Sequence, residues 1–133
     1  MGTHIEAACA LTRSGLRKAT ARNLADAAAQ ACFAQAGRRA GDVGMLINAG
    51  IYREGSMGEP APAALIQEDI GANPGEPPVG AHGTFSFDLL NGADGVITAI
   101  QLGSGLLRSG VIRLGAIVTS DVEPDAGRSD RGR

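Results

Sequence analysis

The sequence predicts an α/β fold: βαβαβαβ in order, with a mostly parallel sheet and a buried central helix. Three observations carry this. Short apolar runs alternate with longer amphipathic ones, and the helical runs end at glycines. Strands separated by helices imply right-handed crossovers, which make a sheet parallel. The stretch from Gly95 to Leu107 carries no charge at all. At about 100° per residue its Val96, Ile97, Ile100 and Leu107 fall together, and Ala99, Leu102 and Leu106 widen the apolar arc to about 220°. Such a helix needs protein on two sides.

The elements follow in order. His4 to Leu11 is short and mostly apolar and reads as a first strand, with a polar loop from Arg13 to Lys18. Thr20 to Ala36 is alanine-rich, carries Arg22, Asp26 and Gln30 on one side, and stops at Gly37: an amphipathic helix. Val43 to Ala49 is a second strand, closed by Gly50, and Tyr52 to Gly58 a polar loop. Glu59 and Pro60 open a helix running to about Ile70, with proline and acid near an N-terminus that tolerates both. Asn73 to Gly83 holds three prolines and three glycines and is a loop. Thr84 to Leu89 alternates Phe85, Phe87 and Leu89 with Ser86 and Asp88, as a third strand does. The apolar helix then ends at Gly110, and Val111 to Thr119 is the fourth strand. From Asp121 onward the chain is polar and reads as a disordered tail, which leaves residues 1–120 as one domain and 121–133 outside it.

Composition narrows the function. Of 133 residues, 44% are apolar and 20% charged, with a net charge of −2, the balance of a globular protein. There is no basic run, one lysine and one tyrosine, which excludes a basic–aromatic nucleic-acid surface. Cys9 and Cys32 sit in segments expected to be buried and reduced. With His4 and His82 at the wrong spacing they make no metal site. No cofactor is expected. The N-terminus has no basic region of a signal peptide, and the apolar helix is too short for a bilayer, so a cytoplasmic protein without membrane contact is expected.

Several motifs fail on inspection. Asn48-Ala-Gly50 resembles a strand end of short-chain dehydrogenases, a remote alternative. Those enzymes need a glycine-rich dinucleotide turn and a Tyr-x-x-x-Lys pair, whereas Tyr52 is followed four residues later by Ser56. Gly103-Ser-Gly105 lacks the last glycine of the dinucleotide fingerprint and lies inside a helix, where close helix–helix packing is the expected role. Lys18 follows Arg17, so no P-loop exists. Glu54, Glu59, Glu68 and Asp69 read as a solvated loop and helix face.

One resemblance survives. The strand from Val43 to Gly50, the helix from Glu59 to Gly71, Phe85-Ser-Phe-Asp-Leu89, and Ala93-Asp-Gly-Val-Ile-Thr-Ala99 leading to Leu107-Arg-Ser-Gly110 and Ser120 resemble, in order and spacing, a β-ketoacyl-ACP synthase III of the thiolase superfamily. The likeness covers residues 43–120 and implies the N-terminal half of that fold. In the family an Ala-Cys-x-Gly element opens the central helix, where the dipole and free N–H groups favour a thiolate that accepts the acyl group. Histidine and asparagine from the C-terminal half assist decarboxylation and stabilise the developing charge.

Aligned without gaps, that cysteine position falls on Ala93, with Asp94 at x and Gly95 at the glycine. A methyl group cannot attack a thioester. Asp94 reads as a charge favourable to the helix dipole, not as a substitute base. The resemblance therefore implies a condensing-enzyme (acyltransferase) component that is inactive alone, with neither nucleophile nor catalytic C-terminal half. A non-catalytic ketosynthase-like partner or a truncated pseudoenzyme is the alternative. It further implies fatty-acid or polyketide metabolism, and a homodimer or a heteromer with a C-terminal-half or full-length condensing-enzyme chain. Acyl-CoA or acyl carrier protein is the implied ligand, with Met57 and Glu59 reaching a mate's acyl pocket. In the family this helix lies at the middle of an αβαβα sandwich. About six large aliphatic side chains at roughly 1.5–3 kcal/mol each make its burial worth on the order of 10–15 kcal/mol, as much as a small domain's whole stability.

Overall fold

A computed structural model describes residues 2–12, 20–50 and 59–122. The loops expected at Arg13–Lys18 and Tyr52–Gly58, and the tail from residue 123, lie outside the described residues.

Helix α1 spans Ala21–Ala36. Thr20 caps it by accepting the Asn23 N–H on its hydroxyl at 3.0 Å, and Gly37 ends it at a left-handed φ of 66°. Strand β1 is Met45–Asn48, buried along its whole length. Helix α2 spans Pro62–Ile70, with proline in its first turn and Gly71 as its left-handed stop. Strand β2 is Phe85–Asp88, helix α3 is Gly95–Ser109, and strand β3 is Gly115–Val118.

The three strands form one parallel sheet in the order β2-β1-β3. Period-two alternation gives each face its own layer. Leu46 and Val118 meet Ala25 of α1 and Ile66 of α2 on one side. Met45 and Ile47 meet Ala99 of α3 and Leu89 on the other. The result is a three-layer α/β/α unit, α1 and α2 above the sheet and α3 below.

One element differs from expectation. Residues 4–11 form no strand; β1 takes both β2 and β3 as neighbours, leaving no place between them. Ala7, Ala8 and Ala10 supply little of the side-chain surface that stabilises a pleated ladder. The segment instead lies against helices. Glu6 makes a two-pronged pair with Arg38 (2.9 and 2.7 Å), and Thr3 meets Ser104 of α3 at 2.9 Å. Cys9 and Cys32 are accordingly half-buried rather than core residues.

Helix α3 packs on the sheet through its smallest residues, Gly95, Ala99 and Gly103. Gly103 answers to a strand, not to another helix: a Cβ there would lie 3.0 Å from Cε of Met45. A Cβ on Gly105 would meet nothing within 4 Å outside its own helix, so this glycine has no packing role among the described residues. On the far side Ile97 and Ile100 are 60% and 40% exposed, and Leu102 on the flank 46%. The second covering that the apolar arc demands is not supplied by the described residues.

Candidate functional site

The C-terminal ends of parallel strands gather helix N-termini, and here the heads of α2 and α3 both open at that edge. The head of α3 is built by a tight turn. Asn91, Gly92 at φ 51°, Ala93 and Asp94 form a single 3-10 turn that runs directly into the helix. The Asp94 N–H donates to the Asn91 carbonyl at 3.0 Å. The Asn91 amide donates to the Thr98 hydroxyl at 2.9 Å, and that hydroxyl donates to the Asp94 carbonyl at 3.0 Å. The turn is thus pinned to the helix's first turn from outside.

Gly95 lets α3 approach the sheet. A Cβ at this position would stand 3.2 Å from the Ala49 carbonyl oxygen. Asp94 and Ala93, one and two residues before it, are exposed, and the Asp94 side chain makes no capping bond. The position offers an open helix end and a methyl group, with no nucleophile on it. Cys32 lies on α1, across the sheet, and Cys9 bonds to Gln35 of that same helix, so neither thiol stands at the head of α3.

Of the residues expected to bind substrate, Glu59 is exposed just before α2, and Met57 lies outside the described residues, as does Glu54. Glu68 is exposed on α2, as a solvated helix face predicts, while Asp69 on the same face pairs with Arg22 of α1 (2.5 and 2.6 Å). No group of three His, Cys, Asp or Glu suited to a metal exists among the described residues. No helix among the described residues is long and apolar enough to cross a membrane.

Two polar arrangements were not foreseen. Asn48, buried at the end of β1, donates to Asp88 Oδ1 at 2.9 Å, and the same oxygen accepts the Ala63 N–H at 3.0 Å. A carboxylate from β2 thereby satisfies an otherwise unpaired donor in the first turn of α2. The second lies between α1 and α2. Burial, then the hydrogen bond and negative charge of Asp69, push the Asp26 carboxyl up to about 7. Asp26 Oδ1 is buried without a partner. The Arg22 hydrogen bond holds Asp69 below its usual range.

No family model matches the sequence, and no curated relative matches it. Solved structures do match. OleA of Xanthomonas campestris superposes with a TM-score of 0.69 at 21% identity, over 80% of this chain and 28% of that one. OleA with bound lauric acid and lauroyl-CoA gives 0.66 at 21% identity, over the same shares. The 3-oxoacyl-(acyl carrier protein) synthase III of Xanthomonas oryzae pv. oryzae gives 0.60 at 24% identity, over 72% of this chain and 25% of that one. The chain spans between a quarter and a third of the length of these structures, and the matched part is their N-terminal region. By its sheet and its three helices, the chain has the fold of a thiolase-like N-terminal half, similar to that of OleA and the synthase III enzymes.

Proposed function

We propose that this chain is a component of a β-ketoacyl-ACP synthase III-like condensing system and does not carry the acyl group itself. The observation behind this reading is the head of α3, where the gapless alignment puts the methyl of Ala93 at the acyl-accepting position. Condensation begins when a nucleophile attacks the acyl thioester and expels the carrier's thiol. A methyl has neither a lone pair nor an acidic proton to give. The chain's contribution would then be a pocket wall and a docking face, with Glu59 and Met57 near the acyl chain and a histidine and asparagine supplied from elsewhere. The context would be fatty-acid or polyketide metabolism, with acyl-CoA or an acyl carrier protein as ligand.

A partner-bound role is favoured by the open side of α3, where Ile97 and Ile100 stand in solvent. A C-terminal-half chain, a full-length condensing enzyme or a second copy would cover it. A truncated pseudoenzyme is the competing reading, since an unpartnered product would leave the same face bare.

Incubation with radiolabelled acyl-CoA tests the chemistry. The chain should acquire no thioester, and Ala93→Cys should acquire one once the companion isolated from the native host is added. A stable label on the unmodified chain near residue 93 would overturn the assignment. Co-purification from the native host separates the roles. A companion bearing the missing histidine and asparagine supports a subunit; an insoluble or chaperone-bound solitary chain supports the pseudoenzyme.

A further inference from the structure

The N-terminal segment has no regular structure, yet it is held at three points. Thr3 meets Ser104 on α3, Glu6 grips Arg38 just past the end of α1, and the Cys9 thiol donates to Gln35 Oε1 of α1 at 2.8 Å. Cys32 lies three residues before Gln35, hence on the same face of α1. Through its bond to Gln35, Cys9 lies over the face of α1 that carries Cys32, near enough for its thiol to act on that of Cys32. Two thiols far apart in sequence are therefore brought side by side, both half-buried, neither sealed from small reagents.

We propose that Cys9 and Cys32 are an oxidisable pair whose disulfide locks residues 2–12 onto α1. The oxidant required is a low-molecular-weight disulfide such as oxidised glutathione. The Cys9 thiolate attacks one glutathione sulfur, the S–S bond of glutathione breaks, and one glutathione thiolate leaves. The Cys32 thiolate then attacks the Cys9 sulfur of the mixed disulfide and expels the second glutathione thiolate. Two protein thiols lose two protons and two electrons, and one oxidised glutathione becomes two reduced molecules. Burial, and then the neighbouring Cys9 thiol, push the Cys32 thiol up, which suits it to the second step rather than the first. Under a reducing glutathione pool the pair stays as thiols; under oxidation the strap is fastened.

The test treats the full-length chain with oxidised glutathione and reads intact mass, peptide map and amide exchange. Expected is a monomer lighter by two hydrogens, with one cross-linked peptide joining Cys9 to Cys32. Cys32→Ser should stop at a single glutathione on Cys9. Amide exchange over residues 2–12 should slow by about tenfold on oxidation and recover with dithiothreitol. Glutathione persisting on the unmodified chain, disulfides only between chains, or no reaction would overturn the pairing. A cross-link that leaves exchange unchanged would overturn the lock.

Discussion

Asn48 and Asp88 face each other at the ends of β1 and β2, and one carboxylate oxygen of Asp88 joins the strand ends to the first turn of α2. Removing that carboxylate breaks two bonds at once and strands a buried amide. Asp88→Ala should cost about 2–4 kcal/mol, the sum of a lost cap and an unpaired buried donor. Asp88→Asn keeps an acceptor oxygen and should cost about 1 kcal/mol. Urea denaturation at constant m-value measures both, and equal losses for the two variants would contradict this geometry.

Stability should fall as pH rises from about 4 to about 7, because of Asp26. Its folded value of about 7 lies above its unfolded one, so the folded state holds a proton that the unfolded state has released. The stabilisation is complete below about pH 4 and is lost as pH rises through about 7. Asp69 faces Asp26 from α2, Arg22 flanks both from α1, and Glu68 adds its charge to Arg22. Asp69 acts in the opposite sense: its lowered value gives stability above about pH 4 that is lost in acid. Asp26→Asn should flatten the fall between about pH 4 and about 7, the interval between the unfolded and folded Asp26 values, in thermal melts, while leaving the acid limb in place. An unchanged slope would show that another group carries it.

Three glycines should respond with different signs. A Cβ on Gly50 would stand 2.9 Å from the Ser120 carbonyl oxygen, a backbone atom that cannot step aside, and Gly50→Ala should cost about 1–3 kcal/mol. On Gly103 it would meet only the mobile end of Met45 at 3.0 Å, so Gly103→Ala should cost less than about 1 kcal/mol. Gly105 sits in the exposed helix interior with nothing near, and Gly105→Ala should stabilise by about 0.5–1 kcal/mol. Chemical denaturation of the three variants ranks them directly.

The parts of the fold legible in the sequence were those written locally. Thr20, Gly37, Gly71 and Gly110 bound the helices where their backbone chemistry says they must, and the β2 alternation of Phe85 and Phe87 against Ser86 is faithful to its faces. The first strand failed because an alanine-rich run satisfies a pattern without supplying ladder surface, and because strand order is settled by long-range pairing. The Asn48–Asp88–Ala63 link and the Asp26–Asp69 contact join residues tens of positions apart, through register and helix packing that no short window contains. The open helix end at Ala93 was legible only through resemblance, since alanine and aspartate there have an ordinary local role.

The unshielded side of α3 yields the last prediction. Its inner side is fixed by Ala99 and Gly103 against the sheet, so Ile97 and Ile100 contribute little to holding this unit together. Ile97→Lys combined with Ile100→Ser should change unfolding free energy by no more than about 1 kcal/mol, as exposed positions do. The same change removes apolar surface that water contacts, and self-association of the isolated chain should drop in sedimentation velocity. Thr3 already reaches Ser104 on this helix, yet leaves both isoleucines exposed, so the N-terminal segment is no substitute for a covering partner. Binding to a companion from the native host should weaken by at least about tenfold, the loss expected when a central apolar anchor is replaced. If the double variant unfolds outright, the face is internal to the unit; if it binds as before, the partner sits elsewhere.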